Sequence, residues 1–261
     1  MYFGIWFLGD FAASVCSRVF GAPCYLNEGI SKLNRPFDET HTFKIELEMI
    51  QTTLNRIYLC NPSKELWDRL LKSLGKTQPD DDALDLYSLI HRVGLYSALW
   101  CCQSLPEFDK YWRLYAIWCA RQLKCNHKYG MYGNESFVKA IEVAERYANG
   151  DATQAELHEA WVSSGLGGSS ASATTEENAA LAAQKAAQLA VEWATHFAGI
   201  EARLSLPKVS DQMEAISNAA VAYDTATKAM YPVVKEKQKQ EFFKTLERIS
   251  KEKVRAKPMC P

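Results

Sequence analysis

Apolar residues recur three and four positions apart over most of the chain, and polar caps and glycines cut that helical pattern into segments. After Asn61-Pro62, Ser63 stands where an N-cap belongs. Leu66, Trp67, Leu70, Leu71 and Leu74 then mark one face, and Gly75 ends it. Asp80 to Asp82 open the next predicted helix, with Leu84, Leu86, Leu89, Ile90 and Val93 inward and Gly94 as its stop. A short run from Leu95 to Leu105 follows, punctuated by Pro106. Glu107 to Leu123 carries Phe108, Trp112, Tyr115, Ile117, Trp118 and Cys119 and reads as a core helix. Beyond the loop KYGMYGN, a helix near Asn134 presents Phe137, Val138, Ile141 and Ala144 and ends at Asn149-Gly150. Thr153 and Glu156 stand in capping-box relation ahead of Leu157 and Trp161.

The stretch from Gly165 to Thr175, GLGGSSASATT, has the composition of a flexible linker. Thr174 and Glu177 form a second capping-box pattern ahead of an Ala-rich helix. Its small face, Ala179, Ala183, Ala186, Ala190, Ala194 and Ala198, lets another helix approach closely. Ser210 is placed to cap a further helix to Met230, Pro232 breaks or kinks it, and a last helix carries Phe242, Phe243, Leu246 and Ile249.

The first sixty residues read less plainly. Phe43, Ile45, Leu47 and Met49 alternate as a strand would, while Phe43, Leu47, Ile50, Leu54 and Ile57 fit a helix, and the longer match favours helix. The fold class is all-α, an irregular multi-helix array with solenoid-like helical pairs. Four segments are expected. Residues 1–60 pack on the core, 61–164 form a helical core domain, 165–175 form the linker, and 176–261 hold the Ala-rich C-terminal helices.

Charge narrows the partners. Among 261 residues, 30 basic side chains against 31 acidic ones leave a net charge of -1, so binding nucleic acid through overall charge is disfavoured, as is acidic mimicry of DNA. The eight cysteines sit in a chain large enough to have a core, which suits reduced, largely buried thiols better than a disulfide framework. In MYFGIWFLGDFAASVCSRVF no cation precedes the apolar run and Asp10 interrupts it, unlike a signal peptide. Tyr2, Phe3, Trp6 and Phe7 are expected to pack on the fold rather than on a membrane, and the compartment is expected to be cytoplasmic.

Chemistry is sparse. No phosphate-loop, dinucleotide-binding, nucleophile-elbow or H-E-x-x-H motif occurs, so no cofactor is expected. Cys119, Cys125 and His127, with Cys101 and Cys102 one helix earlier, lack zinc-site spacing and read as structural. Asp80, Asp81, Asp82 and Asp85 complement a helix dipole without a metal. Lys235 to Lys257 interleaves cations with Glu236, Glu241, Glu247 and Glu252, the mark of a solvated amphipathic helix. His91 and His196 read as structural residues.

The segment ALWCCQSLPEFDKYWRLYAIWCARQL, followed by ESFVKAIEVAERYANGDATQAELHEAW, resembles the Ala- and Trp-rich helical proteins of phages and bacteria. Some of those are similar to an immunity-protein family of polymorphic toxin systems. The resemblance rests on Ala98-Leu99-Trp100, Arg113-Leu114-Tyr115, Trp118-Cys119-Ala120-Arg121 and the stretch Ala144 to Gly150, and covers about residues 61 to 200. It implies an all-α fold and, for the immunity members, neutralisation of a toxin by binding. It supplies no catalytic residues. The near-neutral charge departs from the acidity common in nuclease blockers, which speaks against a nuclease target.

The leading expectation is therefore a phage- or prophage-type protein that binds a host defence component or toxin, with Tyr129, Met131, Tyr132 and Trp161 as the aromatic contact surface. A second reading is a helical binder of a nucleotide-like molecule, with Arg113, Arg121 and Arg146 contacting its anionic groups. A virion assembly component and a homo-oligomer are further alternatives. An enzyme ranks last, because no motif nominates a nucleophile.

Overall fold

The computed structural model describes residues 50–122, 135–164, 173–207 and 209–256. By their contacts these fall into two compact units, residues 50–190 with 237–256, and residues 191–236. The boundaries lie within two long helices and not at the 165–175 linker. Residues 165–172, like the aromatic N-terminal segment, lie outside the described residues. The end of that linker stretch is not solvated loop: Ala173, Thr174 and Thr175 are buried.

In the larger unit a two-residue strand, β1 (Gln51–Thr52), pairs antiparallel with β2 (Leu84–Asp85), Thr52 opposite Leu84. The Thr52 hydroxyl also shares a 2.6 Å hydrogen bond with that of buried Ser104. Thr53 caps α1 (Leu54–Leu59), which buries Leu54 and Ile57; the helix expected through Ile50 does not form, because Gln51–Thr52 pair as a strand, although Ile50 is buried too. Ser63 caps α2 (Lys64–Leu74), which Gly75 ends at a φ of 69°, a conformation that costs glycine nothing.

The next helix begins later than the aspartates predict. Asp85 caps α3 (Leu86–Val93) through both carboxylate oxygens, while Leu84 is held in the strand pairing. Backbone pairing with Thr52 takes up the groups that an earlier helix start would have needed. Gly94 separates α3 from α4 (Leu95–Cys101), and two short 3-10 turns, Cys102–Ser104 and Pro106–Phe108, lead into α5 (Asp109–Arg121).

α5 is the centre of this unit. Trp112 and Tyr115 are buried, and the ring of Phe242 lies 5.8 Å and 5.3 Å from theirs. Their polar ends are satisfied: the Trp112 indole N–H donates to the Leu105 carbonyl and the Tyr115 hydroxyl to that of Gln238. Burying rings of this size contributes roughly 4–6 kcal/mol each before entropy is counted. α6 (Glu135–Ala148) and α7 (Gln154–Ser163) complete the series, and α7 starts with the predicted capping box of Thr153 and Glu156. Chain neighbours pack together, α2 on α3, α3 on α4, α5 on α6 and α6 on α7. The all-α class therefore stands, with one two-residue strand pairing among the described residues.

Two long helices, α8 (Ala179–Leu204) and α9 (Gln212–Ala256), contribute to both units. The capping assignments of the sequence shift by a few residues here. Asn178, not Thr174, caps α8 through its side chain, and Asp211, not Ser210, caps α9. Pro232 neither breaks nor ends α9, which is one helix through that position. A proline in a helix interior costs about 3 kcal/mol. Burial of Met230 and Val234 on either side offsets that cost.

In the smaller unit the two helices run antiparallel. The Thr227 hydroxyl, which donates to the Tyr223 carbonyl at 2.8 Å, lies 3.5 Å from the Thr195 carbonyl, and the Tyr223 hydroxyl meets His196 Nδ1 at 2.7 Å. Gly199 is needed at this crossing, because a Cβ there would lie 2.5 Å from two carbons of the Tyr223 ring.

Candidate functional site

The residues singled out from sequence are placed as follows. Tyr129, Met131 and Tyr132 lie outside the described residues, as do Cys125 and His127. Trp161 is half-buried on α7, its ring 5.7 Å from that of His158.

The three arginines are each engaged by protein groups. Arg113, only 2% exposed, donates to the Thr174 carbonyl at 2.7 Å and the Glu177 carbonyl at 2.9 Å, and its guanidinium lies 5.0 Å from the centre of the Tyr147 ring. Burial lowers its pKa, and Tyr147, Asp109 and Glu176 oppose that. Arg121 makes a two-pronged ion pair with Glu145, joining α5 to α6. Arg146 pairs with Glu156 at 2.8 Å and also donates to the Asp151 carbonyl, fixing the turn between α6 and α7. An anion would have to compete with all of these contacts.

Thiol chemistry is equally constrained. Cys101, Cys102 and Cys119 are free and buried. Burial pushes the Cys101 thiol up to about 12 and holds Cys102 and Cys119 well above the ordinary thiol range. They are poor nucleophiles in this state. Half-buried Cys60 is also raised by burial, with Arg56 opposing. No three His, Cys, Asp or Glu side chains converge as a metal site among the described residues. Asp80 and Asp82 instead share Lys76, while Asp85 is occupied as a cap.

The other charged candidates have structural partners too. His91 lies beside the Tyr87 and Phe243 rings. On α9, Lys244 and Arg248 both meet the nearly buried Glu241, Lys251 pairs with Glu247, and Lys253 lies over the Phe108 ring. This basic segment is an amphipathic helix whose apolar side carries buried Phe242, Leu246 and Ile249.

A feature the sequence reading missed lies at the closed end of the α8–α9 pair, within residues 191–236. A cleft of about 630 Å³ is lined there by Leu206, Pro207, Val209, Ala215, Ala219 and Ala222, with Arg203, Asn218 and Val221. At the same hairpin end large apolar side chains stand in solvent: Leu204 at 56% exposure, Met213 at 74%, Ile216 at 56% and the cleft-lining Val221 at 63%. Scattered exposed apolar residues are ordinary, but four within eighteen positions of one hairpin end are a local concentration of them.

The sequence did hold a signal. Ala215, Ala219 and Ala222 keep helical spacing on the half-buried side of α9, so Met213, Ile216 and Val221 fall on other sides of the same turns. Gln212, Glu214, Ser217 and Asn218 are interleaved with them, so the start of α9 has no continuous apolar face in solvent.

No helix among the described residues is long and apolar enough to cross a membrane. Compared with known proteins, the chain matches no family model, no curated protein and no solved structure.

Proposed function

We propose that the chain acts by binding another protein, as an inhibitor or immunity factor of the phage and bacterial kind that residues 61 to 200 resemble. The observation that supports this is the exposure of four large apolar side chains, Leu204, Met213, Ile216 and Val221, at the hairpin end that also carries an open cleft. Apolar groups held in water in such density gain free energy when a partner covers them, by about 25 cal/mol per Å² removed from solvent. Arg113, Arg121 and Arg146, which would serve a small anion, are engaged by protein groups, and among the described cysteines Cys101, Cys102 and Cys119 are buried.

The test is gentle affinity purification of the tagged full chain from its own host, followed by native mass measurement. A stoichiometric protein partner is expected, and Met213→Asp with Ile216→Asp should release it while leaving the melting temperature unchanged, because both side chains are exposed. A Tyr129→Ala, Tyr132→Ala variant distinguishes the hairpin end from the loop nominated by sequence. Retention of the partner by the Asp variant overturns the assignment of this face. A bare chain or a homo-oligomer overturns the inhibitor reading altogether.

A further inference from the structure

We infer that the outer face of α9 over residues 237–256 is an interaction surface for an acidic helix of the partner protein. The inference rests on the protein-binding reading above. It adds a second surface, carried by the larger unit, and the charge of what meets it.

The chain as a whole is balanced, but its charge is not evenly spread. Residues 237–256 hold seven cations against three anions, which leaves 23 cations and 28 anions in the rest of the chain. Five of the seven, Lys237, Lys244, Arg248, Lys251 and Arg255, are exposed, and they stand seven, four, three and four positions apart. At about 3.6 residues per turn, that spacing gathers them within about 60° of one another around the helix, in a stripe about 27 Å long. Phe242, Leu246 and Ile249 are buried on the other side, which fixes the stripe toward solvent.

The three glutamates of this stretch do not neutralise it. Lys244, at 3.2 Å, and Arg248, at 3.5 Å, share the single carboxylate of Glu241, so pairing leaves an excess of positive charge. Glu247 meets Lys251 at 3.8 Å, and Glu252 accepts from the Tyr111 hydroxyl. Lys244, Arg248 and Lys251 keep between 56% and 64% of their side-chain surface in water despite these pairs.

Charge and period together identify the occupant. A helix lying along α9 presents carboxylates three and four positions apart with the same rise, so that each stands opposite a cation. A nucleic-acid duplex fits less well, because it is a long polyanion and the residues outside the stripe are net acidic. A membrane surface fits less well too, since the apolar side of this helix is buried in the protein and is not free to enter lipid.

The test titrates the full chain, at physiological ionic strength, into a labelled alanine-based helical peptide with glutamates three and four positions apart, read by fluorescence anisotropy. The Glu peptide is expected to bind and its Gln counterpart is not. Lys251→Glu with Arg255→Glu should weaken binding by about tenfold or more, and a Lys version of the peptide should then prefer this variant to wild type. Both positions are exposed and spare the two partners of Glu241, and circular dichroism checks that the variant folds. Lys64→Glu with Lys139→Glu makes the same change of net charge at exposed positions off this helix, and should leave binding unchanged.

Equal weakening by both pairs of substitutions, or no preference for the Glu peptide over the Gln peptide, overturns the inference. The protein-binding reading fails separately, through the capture experiment and its Met213→Asp, Ile216→Asp variant. Tighter binding of a short DNA duplex or of phosphatidylserine vesicles than of the Glu peptide, lost in the Lys251→Glu, Arg255→Glu variant, would assign the stripe to nucleic acid or to lipid and overturn the inference as well.

Discussion

Replacing Arg113 by methionine tests the central packing argument, because it keeps much of the aliphatic bulk and removes every donor. The wild-type guanidinium gives one hydrogen bond to the Thr174 carbonyl at 2.7 Å and one to the Glu177 carbonyl at 2.9 Å. Bonds from a charged donor contribute about 1.5–3 kcal/mol each, and the Tyr147 ring at 5.0 Å adds about 0.5–2 kcal/mol. Against these stands the cost of holding a charge out of water, several kcal/mol in a protein interior, which is also why burial lowers the Arg113 pKa. The balance predicts that Arg113→Met lowers stability by about 2–4 kcal/mol, and that Arg113→Ala, which also leaves a cavity, lowers it by about 3–5 kcal/mol.

Urea unfolding followed by circular dichroism measures both, and the transition midpoint should fall with an unchanged slope. Hydrogen exchange should show the amides at the start of α8 losing protection first, since Arg113 ties the segment before that helix to α5. Methionine within about 0.5 kcal/mol of wild type, with protection at residues 179–182 unchanged, would refute the account of Arg113 as the tie between them.

Three further outcomes are expected. Gly199→Ala should destabilise the α8–α9 crossing by about 1–3 kcal/mol despite the helix preference of alanine, and Tyr223→Leu in the same chain should recover most of the loss. A higher melting temperature for the single variant would contradict the close approach. In peptide mapping after mildly alkaline thiol labelling, Cys60 should react before Cys101, Cys102 and Cys119, which should label only in denaturant. Prompt labelling of any of those three would contradict their burial.

The third concerns Glu156, whose pKa is lowered first by the Thr153 backbone N–H, then by the Thr153 hydroxyl and by Arg146. A depressed carboxylate stabilises the fold above its ordinary pKa, and that contribution is lost as pH falls through the folded-state value. The stability difference between wild type and Glu156→Gln should therefore be complete above the ordinary glutamate pKa of about 4.3 and decline as pH falls below it, through the lower folded-state pKa. A difference that persists unchanged in acid would show that the charge plays no part.

Local signals were legible where one residue does the work. Ser63, Gly75, Gly94 and the Thr153–Glu156 pair act through backbone groups within a few residues of themselves, so their spacing was enough to find them. Misplaced caps mark the limit of that reasoning. Thr174 has a capping pattern as good as that of Thr153, yet its carbonyl is taken by Arg113 from α5, and Asn178 caps the helix instead. Asp80 to Asp82 look like a helix start, but strand pairing from Thr52 holds the chain extended to Asp85.

The candidate site was the least legible feature, since an exposed methionine and a core methionine have the same spelling. Helical periodicity by itself determined that the chain is all-α, roughly where its helices lie, and that α5 and α8 carry faces meant for burial, because local spacing fixes which residues share a side. Which face finds a partner is a long-range matter. Only the tertiary structure decided that Arg113 is buried as a tie, that Pro232 stays inside one helix, and that Met213, Ile216 and Val221 at the start of α9 stand exposed.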